Sequence, residues 1–211
     1  MTDVAVYAEV VLSVFAIVDP VGALPFFVAL TDGLPREDRE VVLRRAPMVA
    51  GAILALFALL GRFLFAVFGF TLGAFEIAGG IVLFLVAYDM LQGEVTRTKM
   101  HPQDRDAAAA RRDEIAVVPL GIPLLAGPGS ISTVMIWEGS AGSDPWIIVA
   151  TFVAILAVTV ATFVILRLGQ HILRALGRTG VMAMTRVLGL ILAALGVQFI
   201  LNGVAASLPH L

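Results

Sequence analysis

One acid and two proline–glycine runs hold the groups in this chain that could do chemistry. The first run, Phe15 to Phe27, carries Asp19-Pro20-Val21-Gly22. The second, Val118 to Thr133, carries Gly127-Pro128-Gly129-Ser130 followed by Ser132 and Thr133. Asp is a favoured N-cap and Pro a favoured first helical residue. Asp19-Pro20 therefore reads as the start of one half-helix and Gly127-Pro128 as the start of another. Two half-helix N-termini present unpaired amides and positive dipole ends. Together they would make an anion site from backbone, suited to a carboxylate or phosphate. Ser130, Ser132 and Thr133 add hydroxyls beside it, while Gly22, Gly127 and Gly129 let a ligand approach the main chain. Asp19 supplies the opposite charge, for a substrate ammonium, a coupling proton or Na+. Two roles stay open for it: a helix cap alone, or a cap that also contacts a ligand or ion.

Other chemistries find no support. The chain has no Cys, which excludes disulfides and thiolate metal sites. His101, His171 and His210 have no ligand spacing between them. No nucleophile–base arrangement and no phosphate loop is visible. The expectation is no enzyme, no metal and no cofactor. Net charge is −2, which suggests no nucleic-acid partner.

The elements that must position these groups are membrane spans. The 211 residues are 60% hydrophobic and only 14% charged, against about a quarter charged in a soluble domain. Six spans are expected, at 4–30, 43–65, 72–91, 115–137, 146–166 and 186–206. Each holds about the 20 residues needed to cross ~30 Å of hydrocarbon. The start, Met1-Thr2-Asp3, lacks the basic region of a signal peptide, so the first segment is read as a retained span. Proline interrupts a continuous helix in spans one and four. Freed backbone groups are tolerated in lipid only where protein or a wet cavity satisfies them. Broken segments at matching places in two halves point to a transporter's binding site.

Basic residues set the orientation. The connections 31–45, 92–114 and 167–186 hold thirteen of the fourteen Lys and Arg, and the other side has only Arg62. Those connections are expected in the cytoplasm, with both termini outside the cell (inner) membrane. Pro20 and Pro128 match at an offset of 108, and 76–93 matches 186–203 at an offset of 110. The chain thus divides into a three-span repeat over 1–93, a cytoplasmic linker over 94–112 and a second repeat over 113–211. Three spans per half force the second to be inverted. Glu76 is expected to pair with Arg62 at one interface. Tyr88 and Gln198, matched across the halves, are expected to face the bundle and hydrogen-bond between helices.

The run Asp19, Pro20, Gly22, Pro25, Phe26 resembles the first signature of the MarC family of bacterial and archaeal membrane proteins. The run Pro119, Leu120, Pro123, Gly127, Pro128, Gly129, Ile131 resembles its second. Ala78-Gly79-Gly80-Ile81 and Gly189-Leu190-Ile191 are similar to family stretches as well. The resemblance covers essentially the whole chain. It implies a kinship with small neutral amino-acid transporters. The expected protein is an all-α membrane protein, with six transmembrane helices as two inverted three-helix repeats and helices 1 and 4 broken. It would move a small solute by alternating access. The alternatives are an ion or metal carrier and a non-transporting assembly or regulatory protein; a homo-oligomer stays open.

Overall fold

The computed structural model describes residues 3–92, 112–140 and 145–207. Among them the regular elements are all helical. Five helices are long and apolar enough to cross a membrane, or six if one bent pair counts as a single span. Large apolar side chains such as Leu59, Phe63, Phe68, Leu156 and Leu190 point out of the bundle. A protein in lipid gains from such an apolar outer face.

Helix α1 (Asp3–Val18) and helix α2 (Pro20–Leu30) are separated by one residue, Asp19. Helix α3 (Arg36–Phe68) starts after Pro35 with Glu37 and Asp38 in its first turn, where the dipole favours acids. It ends on Gly69 at φ 69°, whose amide donates to Phe65 O at 3.0 Å. That left-handed residue needs glycine. Helix α4 (Leu72–Gln92) is capped by Thr71, whose Oγ1 accepts from Ala74 N at 3.2 Å.

Segment α5 (Arg112–Leu125) is irregular, because Val118 and Ile122 have extended backbone. Each precedes a proline, which pushes the residue before it out of the helical region. Helix α6 (Pro128–Ser140) then leaves at 58° to α5. The last helical stretch, Pro145–Ser207, holds two candidate spans, α7 (Pro145–Gly169) and α8 (Ala183–Ser207).

Packing shows that α7 and α8 run in opposite directions. One core cluster joins Leu43 of α3, Met90 of α4, Leu166 of α7 and Leu188 of α8 with Phe27 and Leu30 of α2. A second joins Val14 of α1, Leu54 of α3, Ile131 of α6 and Ile155 of α7. The end of α7 and the start of α8 therefore share one end of the bundle. Along α8, Gly189, Gly196 and Gly203 lie against Ala87, Gly80 and Gly73 of α4. Both sets repeat every seven residues and run antiparallel, so two backbones close on each other along one seam. A Cβ added at Gly80 would sit 2.5 Å from Gly196 O. Adjacent Gly79 faces elsewhere, toward Pro128 of α6.

Each long helix also receives a half-helix on a glycine. Gly169 of α7 lies against Leu24 and Val28 of α2, and Gly61 of α3 lies against Met135 of α6. Those two glycines are 108 apart, the offset that matches Pro20 with Pro128.

Charges gather at the end where α3 begins. Arg112 Nη1 meets Asp38 Oδ1 at 2.9 Å, Arg44 meets Glu40 at 3.1 Å and Arg167 meets the same Glu40 at 3.7 Å. Arg45 pairs with Asp113. The pairs of Arg45, Arg112 and Arg167 tie α3 to the start of α5 and the end of α7. The pairs of Arg44, Arg45 and Arg167 are largely exposed, so each contributes under about 1 kcal/mol.

Two sequence expectations are corrected. Arg62 is not the partner of Glu76; it lies 3.9 Å from Glu138 of α6, because α6 packs on α3 at Gly61. Tyr88 is 54% exposed and Gln198 Nε2 donates to Asn202 Oδ1 at 2.7 Å within its own helix. The glycine seam, and not these polar groups, occupies the α4–α8 contact. The linker expected over 94–112 lies outside the described residues, apart from Arg112.

Candidate functional site

Asp19 adopts φ 47° and ψ 66°, a left-handed conformation. Asp and Asn tolerate that region better than other side chains except glycine. Its Oδ1 accepts from Gly22 N at 2.9 Å. Backbone hydrogen bonds run on around it, from Asp19 N to Phe15 O and from Ala23 N to Asp19 O, both 3.1 Å. The interruption between α1 and α2 is therefore local, and Ala5–Leu30 is a single candidate span. A Cβ at Gly22 would overlap the Asp19 carboxylate, so the bare backbone there leaves room for the cap. The carboxylate itself is exposed.

The second run is built differently. Ala126 N donates to Gly121 O at 2.9 Å, and Ile131 N donates to Gly127 O at 2.9 Å. Gly127 is pinned, because a Cβ there would meet Pro123 O at 2.4 Å. Helix α6 starts at Pro128, which supplies no amide. Among the described residues, no side chain accepts from the amides of Gly129 or Ser130. Thr133 Oγ1 donates back to Gly129 O at 2.9 Å, a bond within its own helix. The hydroxyls of Ser130 and Ser132 make no hydrogen bond among the described residues.

The two runs are neighbours. A Cβ added at Gly129 would lie 3.5 Å from Ile17 Cγ2, in ordinary contact, one short turn from Asp19. Trp137 Nε1 of α6 donates to Ser13 Oγ of α1 at 2.8 Å, which fixes the two helices together. The first run thus approaches the start of α6 through Ile17, with Asp19 two residues further on.

The two helix starts differ in charge. At α2 the Asp19 carboxylate already occupies the Gly22 amide. At α6 the first amides carry no acceptor side chain, so its dipole end is uncompensated. The α2 start thus carries a negative group and the α6 start a positive dipole end. Sequence reasoning joined the two starts into one anion site, with unpaired amides at both. It also missed Glu138, which sits on α6 and holds Arg62. Among the described residues no group of three His, Asp or Glu side chains converges to hold a metal.

The family described as MarC family integral membrane protein matches residues 4–208. UPF0056 membrane protein MJ1677 of Methanocaldococcus jannaschii is 40% identical over 198 residues, covering 93% of this chain and 94% of that protein. A UPF0056 membrane protein of Aquifex aeolicus is 40% identical over 204 residues, covering 97% and 94%. UPF0056 membrane protein YhcE of Escherichia coli is 34% identical over 209 residues, covering 99% and 96%. No solved structure matches the chain.

Proposed function

The chain belongs to the MarC family of integral membrane proteins, and from that premise we propose that it is a secondary transporter of small solutes. The solute class is small neutral amino acids, moved by alternating access between two inverted three-helix repeats. The observation that carries this reading is the contact of the two interrupted runs, Gly129 against Ile17, with helix starts at Pro20 and Pro128. Paired interruptions from two halves are the usual construction of a substrate site in such transporters. The matched glycines Gly61 and Gly169, each receiving a half-helix, support the repeat.

In this reading the α6 amides of Gly129 and Ser130 bind the carboxylate. Asp19 holds the ammonium, or a coupling proton or Na+. Ser130 and Ser132 offer hydroxyls to the solute, while Thr133 stays bonded to its helix. A free-energy comparison favours a role for the charge. An N-cap contributes about 1 kcal/mol, and Asn caps as well as Asp. An Asp at the centre of a membrane helix costs about 2.5–3.5 kcal/mol on insertion scales. Capping alone does not offset that cost, whereas pairing with a cation does.

The protein acts in the cell membrane, with both termini and the α3–α4 turn outside and the Asp38–Arg112 cluster inside. It performs no covalent chemistry. The test is counterflow. Purified protein in liposomes loaded with one unlabelled amino acid should accumulate the labelled form of the same solute, across a panel of small neutral amino acids. No accumulation above empty liposomes for any of the panel would reject the amino-acid reading.

A further inference from the structure

A cavity of about 250 Å³ opens where α3 meets α4 and α6, lined by Arg62, Phe65, Leu72, Ser132, Met135 and Ile136. Four of those walls are apolar and one is a cation. The cation is loosely held. Arg62 Nε lies 3.9 Å from Glu138 Oε2, beyond hydrogen-bond distance, whereas Arg112 reaches Asp38 at 2.9 Å. Guanidinium donors therefore remain for a planar carboxylate, which Arg binds through two parallel bonds. The arginine has room because it packs over Gly139, where a Cβ would overlap its guanidinium.

We propose that this cavity binds a small monocarboxylate with an apolar body. The carboxylate meets Arg62, and the body lies against Phe65, Leu72 and Met135. The size fits, being just below the ~300 Å³ at which drug-sized pockets begin. Glu138 acts as the resident counter-ion that the ligand's carboxylate displaces. A zwitterion is disfavoured here, because the apolar walls offer its ammonium no partner. The site goes beyond the transport reading: it uses a different charge from Asp19, and its test reads binding alone.

The experiment measures binding of labelled hexanoate to the full chain in phosphatidylcholine nanodiscs. The expected result is saturable binding that hexylamine does not displace. Arg62→Gln should weaken it about tenfold or more, the loss expected for a hydrogen-bonded charge. Arg62→Lys should retain more than Arg62→Gln. Glu138→Gln should tighten binding several-fold, a gain that a misfolded variant cannot produce. Absence of saturable binding, equal loss in both Arg62 variants, or no gain in Glu138→Gln would overturn the proposal. So would loss of the signal on replacing phosphatidylcholine with phosphatidylglycerol, which would assign the cavity to an anionic lipid headgroup.

Discussion

At the scale of single residues, the glycines of the two runs differ in what they can tolerate. Gly127→Ala forces a methyl onto the backbone oxygen of Pro123, which cannot rotate away. It should destabilise the purified protein by about 1–3 kcal/mol, the usual range for overpacking, read as a lower midpoint in detergent unfolding. Gly129→Ala meets only Ile17 at 3.5 Å. It should fold normally and weaken solute binding, because the methyl sits where a ligand would approach the α6 amides. Normal affinity in Gly129→Ala would remove that helix start from the site. The sequence made these positions legible, since Pro and Gly inside apolar runs have few structural uses. It did not reveal that Gly127 is packed and Gly129 is open, because that depends on Pro123 and Ile17 being brought close. Nor did it reveal Glu138 as the neighbour of Arg62, since 76 positions and a half-helix separate them.

At the scale of elements, the seam between α4 and α8 holds the outer part of the bundle. Its logic was present in the sequence as Gly189, Gly196 and Gly203 at intervals of seven. Matching across the halves paired Gly79 with Gly189 and so obscured which glycine faces α8. The structure turns Gly80 to the seam and Gly79 to Pro128. Polar groups misled in the same region: Tyr88 and Gln198 sit on the exposed side, where hydropathy alone cannot assign a face. The register can be tested by cross-linking in a chain with no native Cys. A Cβ at Gly189 would lie 3.0 Å from Met90 Cβ, close to the ~3.5–4.5 Å span of disulfides. Met90→Cys with Gly189→Cys should form an oxidative cross-link in membranes, and Tyr88→Cys with Gly189→Cys should not. Cross-linking of both pairs alike would contradict a fixed antiparallel seam.

At the scale of the whole molecule, the span pattern was the most legible feature. Six apolar stretches and one-sided basic residues follow from the cost of placing charge in lipid. The described ion pairs at the α3 start, among Asp38, Glu40, Arg44, Arg112 and Arg167, gather on the end that the basic residues assign to the cytoplasm. A reporter fused after Leu211 should therefore read as extracytoplasmic, and one inserted near Asp104 as cytoplasmic. A cytoplasmic C-terminus would contradict the proposed inverted repeat. The relation between the two runs was less legible, because their contact is made by helices packed across the bundle. The account's central claim is that the charge of Asp19 serves a solute or ion as well as a helix. Counterflow by Asp19→Asn in liposomes tests it most directly, since Asn keeps the cap and suits the left-handed backbone at φ 47°. The predicted result is normal expression and folding with most of the transport lost; full transport by Asp19→Asn would contradict the claim.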